Sequence, residues 1–234
     1  MPESGDLNYL SYDHQIIAVT FSDSVTSISD WAFNGCPFLM SVFIPDSVTS
    51  IGVGAFDACD SLTDVVISDS VTSIKARTFS DCPSLANIVI PDSVTSIGAS
   101  AFAGCAALTS VTIPDSVTSI GKGAFSMSGL ANATIPGSVT EVDLSMFYEC
   151  PNLTSVVIED GATTIHATDN AGYCENLTSI TIPSSATTVS GLVWNFNDTP
   201  IDVYYGGTKK QWNEIYGGGS YGSYIIHYNS SGPS

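Results

Sequence analysis

Apolar and polar residues alternate along Leu108-Thr109-Ser110-Val111-Thr112-Ile113-Pro114, a period of two that predicts a half-buried strand with Val111 and Ile113 inward and Ser110 and Thr112 outward. Turn chemistry follows at once. Pro114 presets φ, and Asp115 and Ser116 have side chains that hydrogen-bond to neighbouring backbone in turns. Val117-Thr118-Ser119-Ile120 is a second, shorter alternation. After Gly121, the stretch from Ala124 to Ser128 is too short for a regular helix but fits a single α or 3₁₀ turn.

The same pattern recurs along the chain. Cys36, Cys59, Cys82 and Cys105 stand 23 residues apart; Ser128 takes the next place, followed by Cys150 after 22 residues and Cys174 after 24. One deletion and one insertion therefore interrupt an otherwise constant period. Three residues before each of these positions lie Phe33, Phe56, Phe79, Phe102, Phe125, Phe147 and, breaking the column, Ala171. Leu39, Leu62, Leu85, Leu108, Leu153 and Leu177 lie three residues after the cysteines. A unit of this size cannot bury its own apolar residues, so the units must stack as coils about 4.8 Å apart, with like residues in ladders. The predicted fold is mainly β with short helical turns, a solenoid of about 23-residue coils closed by N- and C-terminal caps.

These residues resemble the BspA-like leucine-rich repeats, also called the Treponema pallidum type, whose unit reads much like Ile-Pro-Asp-Ser-Val-Thr-Ser-Ile-Gly, then Ala-Phe, a Cys, and Leu-Thr-Ser-Val. Residues 44 to 59 and 90 to 105 follow that pattern nearly throughout. The segment Ile201-Asp202-Val203-Tyr204-Tyr205-Gly206-Gly207-Thr208, with Gln211-Trp212 and Ile226-His227-Tyr228, is similar to the one that ends many bacterial members. The resemblance implies a leucine-rich-repeat solenoid and an extracellular or cell-surface protein used in adhesion. It offers no catalytic residues. The repeats are placed at 17–190, with an N-terminal cap at 1–16 built on Leu7-Asn8-Tyr9-Leu10 and Gln15 to Val19, and a C-terminal cap at 191–234. Glu159, Gly137, Ser184 and Ala171 depart from the repeat, so the later coils are expected to be less regular.

Charge narrows the partners. The 234 residues carry 23 acids against five bases (Lys75, Arg77, Lys122, Lys209, Lys210), a net charge of −18 that repels phosphate backbones and anionic lipid. Nucleic acid is not an expected partner, nor is membrane insertion: the chain lacks an apolar run of about 18 residues, and Met1-Pro2-Glu3-Ser4-Gly5 is unlike a signal peptide. A signal or anchor is expected to lie outside this chain.

Each column with chemical potential has a structural alternative. The cysteines, lacking any Cys-x-x-Cys or zinc-type His pairing, are expected as buried free thiols rather than disulfides or metal ligands. Asp23, Asp46, Asp69, Asp92, Asp115 and Asp160 are expected to form turns; a single-file ladder supplies too few oxygens for calcium. His14, His166 and His227 stand in no catalytic motif, although His166 should lie one coil beyond Asp143 as a surface pair. No cofactor, metal or enzymatic activity is expected.

Binding is better served by the outward strand positions. Counting along the repeat gives the column Phe43, Val66, Val89, Thr112, Thr134, Val157 and Thr181, flanked by Asp64 and Asn87. Such a stripe is either plain strand propensity or a contact face for a protein or glycan on a host or neighbouring cell. Tyr204, Tyr205 and Trp212, with Trp194, Phe196, Tyr216, Tyr221, Tyr224 and Tyr228 nearby, either cap the core or stack on sugars. The leading expectation is a non-enzymatic binding module acting through the sheet face; the alternatives are a structural surface spacer and a carbohydrate-binding end.

Overall fold

The computed structural model describes residues 16–167, 174–192, 200–217 and 224–233. Most of the proposed N-terminal cap, His14, Ala171, Trp194, Phe196 and Tyr221 lie outside the described residues. Each coil contributes three faces to a solenoid.

The first face carries the longer strands, all parallel. Ala18–Thr20, Ser41–Phe43 and Asp64–Val66 form one sheet. Asn132–Ile135, Ser155–Ile158, Ser179–Ile182, Ile201–Tyr205 and Tyr224–Tyr228 form a second. Register follows the repeat: Val19 pairs with Val42, Val42 with Val65, and Asp202 with both Ser179 and Ile225. The segment from 191 onward thus adds two strands to the same sheet, still 23 residues apart, with the helix Lys209–Ile215 between them. Thr208 and Gln211 form a capping box at the start of that helix.

The strand expected over 108–114 does not pair, and neither does its equivalent at 87–89. Ile88 and Ile113 do point inward but are each 8% exposed, whereas Val156 and Ile135 are fully covered. The other two faces set the spacing here. Ser73–Ile74, Ser96–Ile97 and Ser119–Ile120 form a continuous ladder on the second face, and the Phe-bearing turns are bonded coil to coil.

The third face explains the Phe and Cys columns. Phe33, Phe56, Phe79, Phe102, Phe125 and Phe147 stack with centroids 5.4–6.0 Å apart and planes within 21° of parallel. Each stacked pair contributes about 0.5–1.5 kcal/mol beyond burial. Turns with left-handed residues carry these rings, and among the described residues only Leu144–Phe147 forms a 3₁₀ helix. Alternate amides of each turn donate to the next coil: Gly54 N–H to Ala76 C=O at 3.0 Å, Phe56 to Thr78 at 2.9 Å, Ala58 to Ser80 at 2.9 Å.

All six cysteines are free and buried. Cys59 Sγ donates to the Phe33 carbonyl at 3.2 Å, Cys82 to Phe56 at 3.1 Å, Cys105 to Phe79 at 3.2 Å, Cys150 to Phe125 at 3.0 Å and Cys174 to Phe147 at 3.1 Å. A thiol is a weak donor, but it meets a carbonyl that water cannot reach. Ser128 sits in the same column, with its Oγ 3.4 Å from Cys150 Sγ.

The serines one place after the aspartate column reach farther than a local turn. Ser93, Ser116, Ser138 and Ser185 donate to the carbonyls of Val71, Val94, Val117 and Ala162 in the preceding coil, at 2.6–2.8 Å. The turn itself closes through backbone, as in Val94 N–H to Pro91 C=O at 3.0 Å. These serines therefore rivet coils together.

Candidate binding surfaces

The outward column begins exposed and ends covered. Phe43 and Val66 are each 54% exposed and Val89 78%, with Met40 (53%) beside Phe43 and Ile17 (64%) one coil before Met40. Asp64 and Asn87 are exposed at the neighbouring outward positions, as are Thr112 and Thr134 in the column itself. Farther along, Val157 is half-buried and Thr181 only 7% exposed. The cause is the chain's own end: Asn229 and Ser230 donate to the carbonyls of Gly207 and Tyr205, and this carries Gly232 against Thr181 Oγ1. Counting places Thr181 outward, but the returning tail covers it.

The C-terminal aromatics divide in the same way. Tyr205 and Trp212 are 1% and 4% exposed, tilted against each other at 5.2 Å, and Trp212 stacks on Tyr216 at 5.1 Å. Their rings close the core, so neither offers a face to a sugar. Tyr204 is half-buried, stacked on His227 at 4.7 Å, and His227 Nε2 lies 2.7 Å from Asp202 Oδ1.

His166 does lie beside Asp143, its partner in the ladder, with Nδ1 4.0 Å from Oδ1. A nearer carboxylate belongs to Glu141, 3.3 Å from Nε2. Glu141 and Asp143 point to the same side of their strand, two residues apart. Among the described residues no three His, Cys, Asp or Glu side chains converge as metal ligands would. No described helix is long and apolar enough to cross a membrane.

One arrangement escaped the sequence reading, although counting five residues before each cysteine would have exposed its column. Trp31, Gly54, Arg77, Ser100, Gly123 and Ser145 occupy it. The Trp31 indole lies directly over Gly54, in the space where a Cβ would stand. Arg77 sits over the indole, 5.8 Å from the ring centroid, and ties back to Asp57 at 3.1 Å and Asp81 at 3.8 Å. Trp31, Arg77 and Ser100 all adopt left-handed backbone, at φ 60°, 56° and 54°.

Stacked parallel strands, repeat-period ladders and a central Phe column define a leucine-rich-repeat solenoid. Sequence and structure comparisons refine the class. The profile of the BspA type leucine rich repeat region matches in six copies over residues 8–128 and 72–199, and the chain belongs to that family. A leucine-rich repeat protein from Bacteroides ovatus is 28% identical over 86% of this chain, with a TM-score of 0.64. The chain spans 58% of that protein's length. The Treponema pallidum leucine rich repeat protein is 32% identical, covering 64% of this chain and 74% of its own, with a TM-score of 0.59. No curated protein is similar enough to count as a match.

Proposed function

We propose that this chain is a non-catalytic binding module of the cell surface or extracellular space, and that it engages a protein ligand through the N-terminal half of its strand face. The observation that carries this reading is the exposed apolar set Met40, Phe43, Val66 and Val89 on consecutive coils. These side chains project away from the core, which Val42, Val65 and the Phe column fill. Exposed apolar residues clustered on a regular surface mark interaction sites.

Charge specifies the partner further. Asp64 adjoins Phe43 and Val66 on the same face, and the chain carries 23 acids against five bases. A partner with an apolar centre and a basic rim is therefore the complementary one. Localisation follows from the adhesion role that the family resemblance implies.

The test is a triple variant, Phe43→Ser, Val66→Ser and Val89→Ser, assayed by surface plasmon resonance against matrix proteins and by attachment to partner cells. A central aromatic contact is worth about 2 kcal/mol, so loss of Phe43 alone should weaken binding roughly thirtyfold. Unchanged binding by the folded triple variant would sink the assignment of this face.

A further inference from the structure

The column that holds Trp31 over Gly54 contains a second glycine, Gly123, which has no ring over it and is bordered by two hydroxyls. Its φ is 64°, and the Ser126 and Ser100 hydroxyls lie 3.4 and 3.5 Å from where its Cβ would stand. Around it is a hollow of about 340 Å³ lined by Ala99, Ser100, Lys122, Ser126, Ser145 and Tyr148. That volume is at the lower end of the ~300–1,000 Å³ typical of small-ligand sites. Ser145 is 2% exposed, and its Oγ has no hydrogen-bond partner. A buried hydroxyl left unpaired is costly, which makes it a second, independent mark of a missing ligand group.

The protein itself shows what this geometry accepts. Trp31, Gly54 and Arg77 occupy three successive coils, and so do Ser100, Gly123 and Ser145. In the first triplet the indole comes from within the chain, one coil before the glycine, and a cation lies over it. In the second triplet the residue one coil before the glycine is a serine, so the ring is missing. Lys122 beside Gly123 supplies the cation, and Tyr148 an aromatic wall.

We infer that the hollow over Gly123 receives a tryptophan side chain presented by a partner polypeptide, in the position that the chain's own Trp31 takes over Gly54. Ser145 supplies the polar contact that an indole N–H needs when buried. This site lies on the turn face and is independent of the strand face proposed above.

The probe is N-acetyl-tryptophanamide at millimolar concentration, followed by saturation-transfer and amide-shift NMR on the full chain. Expected shifts are confined to Ser100, Lys122, Gly123 and Tyr148. Ser100→Trp, whose backbone already matches that of Trp31, should supply the ring internally and weaken the probe by about tenfold or more. Its melting temperature should equal or exceed that of the parent chain. Ser145→Ala should weaken binding several-fold, whereas the strand-face triple variant should leave it unchanged. No binding, shifts centred elsewhere, or full binding by a folded Ser100→Trp would each overturn the inference. A response to methyl glycosides in place of the indole would do the same. Should Ser100→Trp not fold, the wild-type shift map alone decides.

Discussion

Cys82 tests why cysteine occupies its column. The side chain is fully buried, and Sγ donates to the Phe56 carbonyl at 3.1 Å. Cys82→Ala removes a buried group of roughly methylene size, about 0.8 kcal/mol of transfer, and leaves that carbonyl without its thiol, about 1–3 kcal/mol. The expected loss is about 2–4 kcal/mol. Cys82→Ser is smaller but keeps a hydroxyl donor, and Ser128 shows that the column accepts a serine side chain. Its cost should be about 1 kcal/mol. Cys82→Val keeps the apolar bulk and loses only the donor, so it should cost about 1–3 kcal/mol. Urea unfolding followed by circular dichroism separates the three, provided the slopes agree. If valine proved as stable as the parent chain and serine did not, the column would be a matter of size and the thiol bond would be irrelevant.

Burial pushes the Cys105 thiol up to about 12 and the Cys36 thiol up to about 11, from 9.0. A raised folded-state value means that the stability linked to these thiols is fully present below about pH 9 and declines as pH rises from there towards those values, at about 1.4 kcal/mol per pH unit for each thiol. Urea midpoints at stepped alkaline pH should show the decline, and Cys105→Ser should lessen it; a flat profile would contradict burial of the thiols. Arg77→Ala leaves the carboxylate of Asp57, 7% exposed, without its guanidinium. The expected cost is about 1–3 kcal/mol, and it should be largely recovered in the double variant with Asp57→Asn; equal stability of the single and double variants would refute the pairing.

Much of this architecture was legible because equal spacing means equal position. Once Cys59 and Cys82 are 23 residues apart, their coils must stack, and Asp143 and His166 become neighbours without further information. Inward and outward faces follow from the pleat, so the spacing alone puts Phe43 and Val66 on the exposed side. What escaped depends on directions that a period does not carry. Thr181 is covered by a tail that returns from Gly232, far along the chain. Ser93 bonds to the coil before it and not to its own turn, because its hydroxyl lies within reach of the Val71 carbonyl. The indole of Trp31 lies over Gly54 because a left-handed backbone aims it along the stack, and a residue count shows no backbone handedness.

The two irregular coil lengths have a consequence beyond this structure. The lost residue falls between Ser128 and Asn132 and the gained one between His166 and Cys174; the ladder at Asn132, Ser155, Ser179 and Asp202 stays aligned. A lineage carrying this chain can therefore lengthen, shorten or duplicate coils by unequal recombination without retuning the coils on either side. Over generations, copy number and outward residues are its free variables, and recognition can be rewritten one rung at a time while the interior is inherited unchanged.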